Sequence, residues 1–244
     1  MSEKKVLISG AAKRIGAACA RLLHAQGCSV FLHYRGSKEE VTALCQELNH
    51  KRPDSARIWQ ADLLKLQELE AMAKAAESVW GGVDVLINNA SAFYPTELGE
   101  LTEHQWDELL GSNLKAPFFL IKALAPSLAK NNGCVVNIVD IHSERGLKGY
   151  PVYSIAKAGM AAMTKIMAKE LGPKVRVNAV SPGAILWPED DLSHSEKQDI
   201  ISRIALQRSG DPCDIAKAVR FLVDDADYVT GQVISIDGGR TLFC

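Results

Sequence analysis

With 244 residues, 47% of them hydrophobic, the chain can bury one large core, and a single domain is expected. Its 28 lysines and arginines nearly balance 29 aspartates and glutamates, so no net field favours nucleic acid or an anionic membrane, and any anion site must be local. Six cysteines without Cys-x-x-Cys spacing read as reduced thiols of a cytoplasmic protein; no metal site, signal peptide or membrane span is expected.

In chain order, Lys5–Ser9 is a short apolar strand that stops at Gly10, and an alanine-rich amphipathic helix from about Ile15 to Gln26 leads to a second strand, Ser29–His33. Strand, glycine turn, helix and strand make a βαβ unit, and the turn Ser9–Gly16 lies where a dinucleotide pyrophosphate meets a helix N-terminus. Gly10 and Gly16 would equally serve a tight turn and a close helix–sheet contact, so the pair alone does not decide. Past the second strand, His33-Tyr34-Arg35-Gly36-Ser37 carries no carboxylate, the group with which an NAD-selective site accepts from the ribose 2′-hydroxyl. His33, Arg35, Ser37 and the nearby Lys13 and Lys38 offer donors and charge suited to the 2′-phosphate of NADPH; the alternative is a solvated basic turn.

A charged helix over 37–51 precedes a third strand, Ala56–Ala61, which delivers Asp62 and Leu63. The carboxylate there either accepts from an adenine amino group or caps the next helix, about Leu66–Trp80. The chain passes through Gly81-Gly82 into the strand Val83–Ile87 and then Asn88-Asn89-Ala90-Ser91, whose amides fix neighbouring backbone or line a cofactor cleft. Phe93 and Tyr94 follow in the loop Ala92–Thr96, as a stacking surface for a flat ligand or a hydrophobic lid. A helix from Thr102, interrupted near Gly111-Ser112-Asn113, continues to Lys130 and leaves Asn113 in need of a partner.

The strand Gly133–Val139 delivers Asp140. A helix from Tyr153 onward sets Tyr153 and Lys157 one turn apart on one face, where the lysine favours the phenolate and makes the phenol an acid; the competing reading is an ordinary surface pair. Arg176–Val180 is a sixth strand ending in Ser181-Pro182-Gly183. The polar stretch Trp187–Gln198, within about 185–200, reads as a mobile lid or as a plain surface insertion. Asp214–Asp224 is a helix, and Val233–Ile236 a last strand before Asp237-Gly238-Gly239. This order predicts one α/β domain over 1–244, a Rossmann-like doubly wound parallel sheet with helices on both faces. The cofactor half runs to about residue 140, and the catalytic and substrate half follows.

The glycine turn at 10–16, Asn88-Asn89-Ala90, Asn113, Tyr153-x-x-x-Lys157, Ser181-Pro182-Gly183 and Asp237-Gly238-Gly239 together resemble, in order and spacing, the short-chain dehydrogenase/reductase family. The resemblance covers essentially the whole chain. It implies Tyr153 as acid/base, Lys157 as the residue that binds the nicotinamide ribose and lowers the tyrosine pKa, Asn113 as holder of a relay water, and a homotetramer. The positions expected to hold NADPH are Gly10, Lys13, Arg14, Ile15, Gly16, His33, Tyr34, Arg35, Ser37, Asp62, Leu63, Asn89, Ala90, Ser91, Tyr153, Lys157, Pro182 and Gly183.

Two departures narrow the reading: Arg14 stands where the family commonly has glycine, and Asp140 where it commonly has serine. An ionised aspartate would repel the oxyanion of ketone reduction. Both departures, with Ala-Ala-Lys-Arg-Ile-Gly, His-Tyr-Arg-Gly-Ser and Asn-Asn-Ala-Ser-Ala-Phe-Tyr-Pro-Thr, are similar to the pteridine reductase branch, which reduces C=N bonds of pterins and folates with NADPH. On that resemblance Arg14, Ser91, Phe93, Asp140 and Tyr153 contact the pterin, and Asp140 with Tyr153 passes a proton to a ring nitrogen. A 3-oxoacyl carrier-protein reductase and a catalytically silent scaffold of the same fold are the competing readings.

Overall fold

The computed structural model describes residues 3–185 and 193–243. Seven parallel strands form one sheet in the order β3-β2-β1-β4-β5-β6-β7. They are β1 (Lys5–Ile8), β2 (Ser29–Tyr34), β3 (Ala56–Gln60), β4 (Val85–Asn88), β5 (Cys134–Ile138), β6 (Arg176–Pro182) and β7 (Val233–Ile236). The helices are α1 (Arg14–Ala25), α2 (Lys38–Lys51), α3 (Leu66–Trp80), α4 (Glu103–Leu110), α5 (Ala116–Lys130), α6 (His142–Arg145), α7 (Pro151–Leu171), α8 (His194–Ser202) and α9 (Pro212–Asp224).

The strands are apolar on both sides because both faces of the sheet are covered. Val6, Ile8, Val85, Ile87, Val136 and Ile138 pack with α1, α2 and α9, while the alternating Leu7, Leu86 and Val135 pack with α3, α5 and α7. Winding outward from β1 to β3 and then back across to β4 reverses the strand order between β1 and β4. Such a reversal opens a crevice at the carboxyl ends of the strands, and the expected site segments all end there.

Three local features differ from expectation. Helix α7 starts at Pro151, two residues before Tyr153, because proline at a first helical turn forfeits only an amide that has no intrahelical partner. The interruption near Gly111 is one widened turn, a π-helix over Gly111–Lys115 that joins α4 to α5 without a break. The short α6, which starts two residues past Asp140, leaves no signal in the sequence, since four residues are too few to show a helical period. The expected lid lies partly outside the described residues; its described part enters α8 through a capping box between Ser193 and Glu196. Among the described residues no helix is long and apolar enough to cross a membrane, and no group of metal-ligating side chains forms.

Candidate active site

The glycine turn is held by its neighbours on both sides. The Ser9 hydroxyl accepts from the Asn89 and Ala90 amides at 2.9 and 3.0 Å, and Asn89 Nδ2 donates back to the Ser9 and Gly10 carbonyls at 2.9 and 2.8 Å. Gly10 has φ +63°, and a Cβ there would lie 2.9 Å from Ala90 Cα; a Cβ on Gly16 would run into Gly10 O and Asn89 Nδ2. Only glycine lets the two segments meet this closely. Arg14 occupies φ +51°, a left-handed conformation that glycine takes without strain, so the replacement of the usual glycine carries a local backbone cost. Helix α1 opens at Arg14 with no acid in its first turn and no side-chain cap from Lys13, which leaves its first amides directed into the crevice.

At the 2′-phosphate end the structure divides the expected donors. His33 is not one of them: it is buried, its Nδ1 accepts from the Gly10 amide at 3.0 Å, and Nε2 therefore carries the proton and donates to Ala61 O at 3.0 Å. Burial also holds its pKa below the usual value despite the Ala61 carbonyl and Asp62, so the ring is neutral and braces the glycine turn. Tyr34 is buried beside it. Arg35 is exposed and reaches across to Glu108 on α4, 3.7 Å away, while Lys13 pairs with Glu40 at 2.7 Å. Ser37 is the N-cap residue of α2, without a side-chain cap bond. Asp62 does not cap α3, whose N-cap is Lys65; its Oδ1 instead accepts from the Leu64 amide at 3.1 Å, beside the buried Leu63.

At the catalytic end the Tyr153 hydroxyl donates to Asp140 Oδ2 at 2.9 Å, and Asp140 Oδ1 accepts from the His142 amide at 2.8 Å. Burial first, then the Asp140 carboxylate and its hydrogen bond, hold the phenol well above its ordinary pKa. The expectation that Lys157 draws that pKa down is not met in this structure. The Lys157 ammonium sits 5.7 Å from the Tyr153 ring centroid and donates to Ile138 O at 2.9 Å. Burial lowers its own pKa to about 8, opposed by Asp140.

Phe93, half exposed, stacks face to face on Tyr150 at 4.6 Å and meets Tyr153 edge-on at 4.8 Å. Asn113, fully buried in the π turn, gives Nδ2 to Ala92 O at 2.9 Å and to Leu109 O at 3.0 Å, while its Oδ1 accepts from Ser91 at 2.6 Å. The amide thus ties the loop carrying Ser91 and Phe93 to the helix beneath. Pro182 O accepts from the Ile141 amide, and Gly183 lies so close to Asp237 that a Cβ would sit 2.7 Å from its Cα. Sequence reasoning gave no role to Ser9, Glu108 or Tyr150. Ser9 was marked only by its place before Gly10, and the other two carried no signal, since their partners come from distant segments.

This geometry can be set beside known proteins. A family model described as enoyl-(acyl carrier protein) reductase matches residues 10–241. The chain belongs to the short-chain dehydrogenase/reductase family. This short-chain reductase is 36% identical to pteridine reductase 1 of Leishmania tarentolae, the match covering 97% of this chain and 96% of that one. It is 37% identical to the 3-oxoacyl-(acyl-carrier-protein) reductase of Staphylococcus aureus, over 97% of each chain. It is also similar to the crystal structure of a blue fluorescent protein from a metagenomic library in complex with NADPH, with TM-score 0.91, 33% identity and 97% of both chains covered. The chain is therefore an oxidoreductase of this family, and two relatives at nearly equal identity carry names that point to different substrates.

Proposed function

We propose that the chain is an NADPH-dependent reductase of dihydropterins, with dihydrofolate as a further substrate. The observation that carries this reading is the 2.9 Å hydrogen bond from Tyr153 to Asp140. Reduction of a C=N bond puts a hydride on carbon and a proton on nitrogen, and NADPH would supply the hydride. A phenol whose pKa is raised keeps its proton until a strongly basic atom develops, and a ring nitrogen whose neighbouring carbon has just gained a hydride is such an atom. Tyr153 gives its proton there directly or through Asp140. An alkoxide developing in the same place would face the Asp140 carboxylate, and that repulsion disfavours ketones.

The residues present fit the cofactor. The Gly10–Gly16 turn cradles a pyrophosphate at the amides of α1, beside Lys13, Arg14 and Ile15, and Arg35 with Ser37 takes the 2′-phosphate. Lys157, whose ammonium now donates to Ile138 O, would hold the nicotinamide ribose, and Asn89, Ala90, Ser91, Pro182 and Gly183 would line the cofactor crevice. Phe93, already parallel to Tyr150, offers a face for the pterin ring. Asn113 acts in this scheme by positioning the Ser91–Phe93 loop. A homotetramer is supported by the apolar surface between α5 and α7, where Phe118 and Ile166 are exposed; a monomer in analytical ultracentrifugation would remove it.

The test is NADPH oxidation with a panel of dihydropterins, dihydrofolate and 3-oxoacyl thioesters, on the unaltered protein and on Asp140→Ser. The proposal expects pterin turnover that falls in Asp140→Ser. Unchanged dihydropterin reduction in that variant, or a preference of the unaltered protein for the thioester, defeats it.

A further inference from the structure

We propose that Arg145 and Arg240 form a receiving site for an anionic group, a carboxylate or phosphate, carried on the side chain of the substrate. The inference rests on the pterin reading above and names the class of pterin. Arg145 ends α6, five residues beyond Asp140, and Arg240 opens the short 3-10 turn Arg240–Leu242 that follows β7. The two meet: Arg145 Nη1 donates to Arg240 O at 3.2 Å. The ends of β5, β6 and β7 are stitched together by Ile141 N to Pro182 O and Gly183 N to Ile236 O, which puts both arginines on the carboxyl edge of the sheet with Asp140.

The two arginines at this corner have no carboxylate in ion-pair contact among the described residues, and only Asp140 and Asp237 favour the Arg240 charge from a distance. Arg21, Arg57, Arg203, Arg208 and Arg220 each have a carboxylate oxygen within 3.2 Å, and Arg52 and Arg176, which have none, give their guanidinium groups to the Cys28 and Leu222 carbonyls; among the described residues Arg145 and Arg240 form no ion pair, and the Arg240 guanidinium has no hydrogen-bond acceptor. The carboxylates nearest to Arg240 are engaged elsewhere. Asp140 holds Tyr153 and the His142 amide, and Asp237 holds the Gly239 amide and both the amide and hydroxyl of Thr241. Arg240 is half-buried; burial, then Arg145 and Arg203, disfavours its charge, and only Asp140 and Asp237 oppose them. His142, between Asp140 and the arginines, is likewise held below its ordinary pKa by burial, with Arg240 and Arg145 adding to the effect against Asp140 and the Gly146 carbonyl. Gathering like charges on a partly desolvated surface is unfavourable unless an anion arrives to be bound. Guanidinium pairs suit the planar oxygens of carboxylate and phosphate.

The experiment compares Arg145→Gln, Arg240→Gln and the double variant with the unaltered protein. Three substrates are used: dihydrofolate with its carboxylate tail, dihydroneopterin phosphate, and dihydrobiopterin, whose side chain is uncharged. The expected result is a rise of roughly tenfold to a hundredfold in KM for an anionic substrate, the usual effect of losing a charge-assisted bond, with dihydrobiopterin kinetics unchanged as the control for folding. Which anionic substrate responds identifies carboxylate or phosphate as the ligand. Calorimetry with p-aminobenzoylglutamate, an anion without a pterin, is run in parallel on the cofactor-loaded protein. If no pterin is turned over, the pterin reading fails, and loss of this binding in the double variant still supports the anion site. The anion site is overturned if neither a selective KM change nor a loss of binding is seen.

Discussion

Replacing Lys157 by Met should make the cofactor-free protein more stable at neutral pH while abolishing its activity. Lys157 is buried on α7, and its ammonium donates to Ile138 O at 2.9 Å. Burial takes its pKa from 10.5 to about 8, and a difference of that size corresponds to about 3 kcal/mol against the charged form in the folded state. Methionine fills nearly the same space without charge, but it leaves the Ile138 carbonyl without this donor, at a cost of about 1–3 kcal/mol. The net is a gain of up to about 2 kcal/mol at pH 7, and at that upper limit a Tm higher by roughly 4–8 °C. The folded pKa lies below the unfolded one, so the penalty is complete below about pH 8 and is relieved as the pH rises toward 10.5, where the unfolded lysine also loses its proton. The unaltered protein should therefore gain stability between about pH 8 and 10.5, and the variant should not gain with it. Urea unfolding at matched protein concentration, at about pH 7 and about pH 10, measures both effects. A variant clearly less stable at neutral pH, with the same deficit at high pH, would refute the claim that the buried ammonium is held at a cost.

Tyr153→Phe should lower turnover by roughly 10²–10⁴-fold while NADPH binding, followed by fluorescence titration, stays near normal; full turnover would remove Tyr153 as the proton source. Arg35→Asp should weaken NADPH far more than NADH in steady-state kinetics, and a native preference for NADH would overturn the 2′-phosphate assignment. Asn113→Ala removes the bonds to Ala92 O and Leu109 O, so it should cost about 1–3 kcal/mol in urea unfolding and raise KM for the pterin; an undisturbed KM would sever the link from Asn113 to the Ser91–Phe93 loop.

What could be read from the sequence was whatever a period or a short spacing determines. Tyr153 and Lys157 had to share a face once the segment was helical, and Asp140 had to emerge at the carboxyl edge once β5 was a buried strand. His33 could not be read in this way. In the sequence it opens the polar, basic stretch His33–Ser37 and looks like a phosphate donor, yet it is a buried residue of β2 whose role depends on Gly10 and Ala61, segments brought to it by parallel pairing on either side of that strand. The same holds for Ser9, which organises Asn89 and Ala90 from across the β1–β4 pairing. Lys157 shows a different limit: spacing put an ammonium near the phenol, but the balance between that charge, burial and Asp140 is a three-dimensional quantity, and burial dominates.

That balance bears on the direction in which the site works. An alcohol oxidation would need the tyrosine as phenolate, ready to accept a proton, and near neutral pH only a phenol well below its ordinary pKa supplies much of that form. Here burial and Asp140 both oppose the phenolate, so before any ligand arrives Tyr153 is overwhelmingly protonated. The equilibrium between substrate and product is untouched, since no enzyme changes it, but the form of the protein that starts a reduction is populated and the form that starts an oxidation is scarce. Asp140 disfavours the phenolate on the enzyme, and on the proposed function it would also disfavour an oxyanion on the substrate. In the proposed pterin reaction both effects would favour delivery of a proton to a developing nitrogen base, and a serine in place of Asp140 would supply neither.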